Sequence, residues 1–327
     1  MAKTKNIILI LIISMLSLAL TCSRDLPSSI GRVRQIIVLS NFKTEIEKEI
    51  TYTLQRNFYT IQPEPEFLIR YEPLSRFNDF VKFRLIFIIG LIKEEPIQTL
   101  LSQYQEKISQ DTFGLYSFTN PWASNQKVLV FATTDIKFLD AGLKRYEQRI
   151  RKEYGDYILQ YMHDVTYARG YKKQVSEQLA EKYNFSVKVP NSFFLNEKFA
   201  EHHFVYLVAH NPTRSLFIYS QPAHKELDPA SLIAMRDSLT NLFYDKDFVY
   251  QELTYAETTS FNNMPALKIV GAWQNNQLVA GGPFVSYCFN KNGRFYFLDG
   301  MVFNPGKRKL DNLKQLDAVL NTFKISE

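Results

Sequence analysis

The chain is short of several things, and each shortage narrows what it can be. Only two of its 327 residues are cysteine, so a disulfide framework does not hold it together. Twelve glycines and thirteen prolines are too few for a collagen-like or low-complexity chain. Neither sign of charge dominates. Lys and Arg number 39 against 33 Asp and Glu, a net +6, and Lys3 and Lys5 of the leader account for two of those, leaving +4 spread along the chain. That is not the concentrated basic footprint of a nucleic-acid partner, and none is expected. There is no GxSxG elbow, HExxH, P-loop, GxGxxG or CxxC, so no catalytic residue, cofactor or metal is assigned.

What is present begins at the first residue. MAKTKN is short and basic, and Ile7–Thr21 then runs fifteen residues without charge, less than the ~20 a membrane-spanning helix needs. Cys22 follows Ala19-Leu20-Thr21 directly. A bacterial lipobox places such a cysteine at +1 for acylation; Ala19 stands where Leu is usual at −3, and Thr21 where Gly, Ala or Ser is usual at −1. The expectation is a signal peptide over 1–21, a lipid on Cys22, and a tether over 22–32. No acidic run follows the cysteine, so the expected location is the cell envelope, on the outer membrane facing the periplasm. A secreted protein with a chance cysteine and an uncleaved N-terminal anchor are the competing readings. Multiple acyl chains, at about 0.8 kcal/mol per buried methylene, would make the bilayer a lasting partner. Cys288, in the alternating FVSYCF, is read as a buried apolar residue.

Periodicity predicts two α+β domains, over 33–170 and 171–327, each a mainly antiparallel sheet packed by helices and joined by a long amphipathic helix. Gln35–Ser40, Phe67–Tyr71, Arg84–Ile92, Phe113–Phe118 and Lys127–Ala132 read as strands, Lys43–Phe58 as a helix, and Pro96 as the opening of another. After Asp135, apolar residues from Leu139 to Val165 step by three and four, with a charged opposite face. In the second half, Asp228-Pro229 opens a helix, Asn292-Gly293 closes a tight hairpin, and Leu310 to Leu320 form a last helix.

Four segments, LPSSIGRVRQIIVLS after the anchor, EPEF at 64–67, FNDFVKFRLIFIIGLI and WASNQKVLVFA, together resemble an uncharacterised lipoprotein family of Bacteroidota, domain of unknown function 4837. Its pattern places an Arg before a hydrophobic strand, here Arg84, and a Trp-x-x-x-Gln before another, here Trp122 and Gln126. Leu85-Ile86 departs from the usual Asn-Ile after that Arg. The resemblance implies no activity. The second half, from YNFSVKVP at 183–190 to LDAVLNTFKI, is similar to the Mog1/PsbP-type α/β/α sandwich, mostly a binding or assembly module.

Candidate sites are few. Three histidines fall in EHHFVYLVAH, but His202 and His210 would stand ~26 Å apart on a strand and cannot share an ion. Glu64 and Glu66 bracket Pro65 on one side of an extended segment. Aromatics are 14% of the chain, and a loop around Trp122 could stack on a sugar or grip a protein. Arg84, Trp122, Asn125 and Gln126 are therefore the candidate recognition residues. The reading is a non-enzymatic, lipid-anchored binding or envelope-assembly protein, with an envelope protein or glycan as partner. An envelope hydrolase without a recognisable motif, or a small-ligand carrier with an aromatic cleft between the halves, are the alternatives. Cys22→Ser should abolish incorporation of a fatty-acid probe and release the protein from the membrane fraction; unchanged labelling and fractionation would contradict the anchor.

Overall fold

The computed structural model describes residues 26–60, 62–103, 112–223 and 226–326. The leader and Cys22 lie outside them, as does His224. The N-terminal half runs β1 (Gln35–Leu39), α1 (Lys43–Leu54), β2 (Asn57–Thr60), β3 (Gln62–Pro65), β4 (Leu68–Glu72), a single-turn α2 (Phe77–Phe80), β5 (Leu85–Leu91), α3 (Glu95–Gln103), β6 (Phe113–Thr119), β7 (Lys127–Thr133) and α4 (Leu139–Tyr167).

Its main sheet has the order β4-β1-β5-β7-β6. β1 pairs parallel with β4 and β5, and β5 with β7; only the β6–β7 pairing is antiparallel. The α+β, two-domain architecture expected from the sequence holds, but this sheet is mainly parallel where an antiparallel one was expected. The reason is the connections: helices cross between β1 and β4 and between β4 and β5, which a parallel pairing requires and a hairpin cannot supply. Strands covered on both faces are then apolar throughout. Ile36, Val38, Leu85 and Phe87 face α1 and α4, while Ile37, Leu39, Ile86 and Ile88 face α2 and α3. Pro63 sits in the β2–β3 hairpin, opposite Tyr59.

Along α4 the buried positions include Leu139, Leu143, Ile150, Tyr154 and Ile158, as expected; in the last turns Met162 is buried instead of Tyr161 and Val165, and Val165 is exposed. A Cβ on Gly142 would lie 2.4 Å from the Phe131 ring, so the helix reaches the sheet only because that residue is glycine. Asp135 accepts from the Lys137 amide at 3.0 Å, just ahead of the helix. The outer face pairs its own charges, as in Lys144 with Asp140 four residues before it, and is a solvated face. Among the described residues, no helix is long and apolar enough to cross a membrane.

The C-terminal half runs α5 (Lys173–Tyr183), β8 (Phe185–Ser186), β9 (Phe194–Asn196), β10 (Phe204–Ala209), β11 (Thr213–Pro222), α6 (Pro229–Phe243), β12 (Phe248–Phe261), β13 (Met264–Asn275), β14 (Ala280–Lys291), β15 (Arg294–Phe303), α7 (Leu310–Leu320) and β16 (Lys324–Ile325). Asn184 closes α5 with a left-handed φ of 58°. Asp228 caps α6 by accepting from the Ser231 amide at 2.7 Å. Asn292 and Gly293 take the positive φ angles that the β14–β15 hairpin needs. Seven antiparallel strands form one sheet, β12-β13-β14-β15-β11-β10-β9. Alternate side chains pack one face under α5 and α7 and the other under α6, giving an α/β/α sandwich.

The halves meet through α7. Ala318 on that helix belongs to the core cluster beneath α4. Glu64, at the end of β3, accepts from the backbone amides of Lys309 at 2.7 Å and Leu310 at 3.3 Å, so the first half caps a helix of the second. Arg34, almost fully buried, bonds the carbonyls of Pro65 and Glu66 at 2.7 and 2.6 Å and pairs with Asp311. Glu66 pairs with Arg151 at 3.2 Å within the first half and reaches Lys314 of α7, in the second, at 4.0 Å. The two carboxylates that flank Pro65 are thus occupied in joining the halves. Glu64→Ala should lower the unfolding free energy by about 1–3 kcal/mol, and Glu64→Gln by less, since an amide oxygen still accepts. Urea unfolding curves with unchanged midpoints would contradict the clasp.

Candidate functional site

The four candidate recognition residues divide between structure and surface. Gln126 is fully buried. Its Oε1 accepts from the amides of Trp122 and Ala123 at 3.1 and 3.2 Å, and its Nε2 donates to the carbonyls of Val81 and Phe83, both at 2.7 Å. It therefore ties the 120–126 loop to the chain entering β5. Asn125 takes a left-handed φ of 54°, and its carbonyl accepts from Ser29 Oγ and Tyr157 OH, both at 2.6 Å. Arg84 lies over the Tyr161 ring at 4.4 Å and donates from Nη1 to the Gly31 carbonyl at 2.8 Å. Asn125 and Arg84 thus hold the N-terminal segment, and the Pro27 carbonyl of that segment accepts from the Ser124 amide at 2.9 Å.

Trp122 alone faces a cavity. Its ring meets Phe77 edge-on at 5.1 Å, and both line a cleft of about 620 Å³ between α2 and α3. Asn41, which follows β1, and Glu94, which precedes α3, stand at the same cleft and bond each other at 2.9 Å.

A second concavity, of about 510 Å³, lies wholly within the C-terminal half. It forms because α6 is too short for the sheet it covers. Fifteen residues of helix span ~22 Å, whereas the twelve-residue strands beneath reach ~40 Å. After Phe243 the chain turns back into β12, and the uncovered strand ends carry Tyr206, Ser215, Trp273, Ala280, Met301 and Phe303 into the opening. The turn itself contributes Tyr244, Asp245 and Asp247. Asp245 and Lys246 have positive φ, and the bend is held by Thr240 Oγ1 donating to the Asp247 carbonyl at 3.1 Å and by Asn275 Nδ2 donating to the Asp245 carbonyl at 2.9 Å.

Two features make this pocket chemically distinct. The Trp273 indole lines it and is almost fully buried, yet its Nε1–H has no hydrogen-bond partner among the described residues. Asp247 is also buried, and loss of solvent raises its carboxyl to about 6, against the opposing pull of the Asn275 amide at 2.7 Å and the Arg236 charge. Arg236 and Asp299 lie behind it, both with no exposed surface. They are joined through Nε to Oδ2 at 2.7 Å and Nη2 to Oδ1 at 3.2 Å, with Ser286 Oγ donating to Asp299 at 2.6 Å.

Sequence reasoning missed this site. Trp273 and Tyr206 read only as strand residues, and the one signal was the polar Asn275-Asn276-Gln277 turn. The other sequence features resolve simply. His202 ends a single 3-10 turn, and His203 has a left-handed φ of 57°, so the strand starts after both. Among the described residues no cluster of three His, Cys, Asp or Glu could hold a metal. Cys288 is buried, and loss of solvent, with the Asp299 charge adding to it, pushes its thiol well above the ordinary value.

The raised Asp247 carboxyl makes stability depend on pH. Between its ordinary 3.8 and about 6 the folded chain binds more protons than the unfolded chain, so this contribution is complete below the lower value and lost as pH rises through the upper. Asp247→Asn, neutral at every pH, should gain melting temperature relative to the unaltered chain across that window and hold the gain above it. A difference that does not change with pH would contradict the assignment.

Several solved structures are similar to part of the chain. The solution structure of cyanobacterial PsbP from Synechocystis sp. PCC 6803 is 12% identical with a TM-score of 0.31, over 43% of this chain and 86% of that one. LpqN, involved in cell envelope biogenesis of Mycobacterium tuberculosis, is 11% identical with a TM-score of 0.30, over 44% and 83%. A mutant of the protein Mog1 is 11% identical with a TM-score of 0.29, over 44% and 92%. No curated protein matches. Residues 29–166, which hold nearly all of the segments that suggested a family, match a domain of unknown function, DUF8532. Residues 172–322 match the domain of unknown function DUF4837, so the family read from the sequence is found on the C-terminal half of the chain.

Proposed function

We propose that this is a lipid-anchored envelope protein that binds, through the pocket of its C-terminal half, a largely apolar molecule or a segment of a partner. The anchor rests on the Ile7–Thr21 run and Cys22; the envelope location, at the outer membrane facing the periplasm, follows from it. The pocket carries the functional reading. Its volume of about 510 Å³ lies inside the ~300–1,000 Å³ of small-molecule sites. Its walls are largely aromatic and aliphatic, with His210, Ser215, Asp245 and Asp247 among the polar groups that line it. The carrier reading of the sequence becomes the leading one, with its cavity inside one half instead of between the two.

The uncovered strand ends also carry Leu278 and Val279 on the β13–β14 turn, both exposed. They extend the apolar wall outward, as an entry lip would.

The test is titration with N-phenyl-1-naphthylamine, a neutral fluorescent probe of apolar cavities. A saturable rise in emission at one probe per chain is expected for the unaltered protein. Ala280→Phe, which fills the cavity from its wall, should weaken binding at least about tenfold, equivalent to roughly 1.4 kcal/mol, without changing the circular dichroism. No saturable signal, or an equal one from the filled variant, would overturn the proposal.

A further inference from the structure

The N-terminal cleft is a separate structure with a different chemistry. β1 leads through α1, on one face of the sheet, to β4 at the edge; β5 leads through α3, on the other face, toward β7 and β6. The winding therefore reverses between the adjacent strands β1 and β5, and their outgoing chains part in opposite directions. In an open, doubly wound sheet such a reversal leaves a crevice at the carboxyl ends, where ligands of this architecture bind. The cleft of about 620 Å³ opens there, with Asn41 following β1 and Glu94 following β5 in its wall.

Its lining sets the ligand class. Among the described residues that line it there is no lysine or arginine, whereas Glu94 and Glu95 do. Glu95 also occupies the first turn of α3, the place where an anion would be drawn to the helix end. Phosphates and other anions are disfavoured on both counts. What remains is a set of planar amides and carboxylates with hydroxyls, including Asn41, Asn78 and Thr99, beside the half-buried Trp122. Flat polar groups that both donate and accept match vicinal hydroxyls, and an aromatic ring matches the apolar face of a pyranose.

The scaffold is preorganised. Glu94 is fixed by accepting from the Leu91 amide at 2.6 Å and from Asn41 Nδ2 at 2.9 Å, and Asn41 Oδ1 accepts from the Leu74 amide at 3.2 Å. A Cβ at position 90 would stand 2.1 Å from Glu94 Oε2, so glycine there lets the carboxylate fold back onto the strand end. On the other side, the buried Gln126 amide holds the backbone of Trp122. We infer that this cleft is a saccharide site for a neutral glycan unit, with Trp122 against the sugar ring and Asn41 and Asn78 toward its hydroxyls.

The detergent-solubilised full chain, applied to an array of immobilised neutral and acidic glycans, tests this. Retention on neutral glycans is expected, reduced at least tenfold by Trp122→Ala and separately by Asn78→Ala, an exposed position whose loss leaves the fold intact. Ala280→Phe, which fills the other cavity, should leave glycan retention unchanged, so the two proposals stand or fall separately. Absence of retention, preference for acidic glycans, or retention of the Trp122 and Asn78 variants equal to that of the unaltered chain would overturn it.

Discussion

A guanidinium with no exposed surface fixes the C-terminal half. Arg236 projects from α6 onto the middle of the sheet, above the Phe284 ring at 3.4 Å, and is neutralised by Asp299 on β15. An unpaired charge there would be destabilising by several kcal/mol, and breaking such a pair costs about 3–5 kcal/mol, so the helix cannot slide along the strands. Its start is set by the Asp228 cap and its position by Arg236. With both fixed, the helix ends at Phe243, and the strand ends beyond it stay open. The pocket is the consequence of a short helix locked in place over long strands. The Arg236 charge also reaches Asp247 in the pocket wall and moderates the rise of its carboxyl.

The two halves are joined by polar groups rather than by a broad apolar face alone. Glu64 supplies acceptors to the open amides of α7, and Arg34 knits the chain around Pro65 to Asp311 on that helix. Farther along, Gln315 donates to Thr166 Oγ1 at 3.2 Å. Cap, ion pair and helix contact are cooperative, because each is made to the same helix. α7 in turn covers the sheet whose opposite face holds the pocket. The N-terminal cleft sits on the face of its own sheet turned away from α4. Both concavities are therefore left free by the packing of one half on the other.

Legibility from the sequence followed the range of the interactions. Local signals were readable: the Asp228-Pro229 start of α6, the Asn292-Gly293 hairpin and the stripe from Leu139 to Ile158 all depend on residues within a few positions of each other. Parallel pairing was not, because it is set by which helix crosses which face. The roles of Glu64 and Gln126 were hidden for a related reason. Glu64 meets its partners 245 and 246 residues away, and Gln126 bonds carbonyls 43 and 45 residues back. Trp122 was singled out as a candidate recognition residue by its polar loop, and it lines the N-terminal cleft, whereas Trp273 lay in an ordinary strand pattern. Its importance comes from where α6 stops, which no local pattern encodes.

The central claim is that the open end of the C-terminal sheet is occupied in the cell. Native mass spectrometry of the full chain purified from the cells that make it addresses it directly. The account predicts one discrete non-covalent adduct per chain, present on the unaltered protein and missing from Ala280→Phe. A bare chain in both cases, or an adduct that survives in the filled variant, would contradict it.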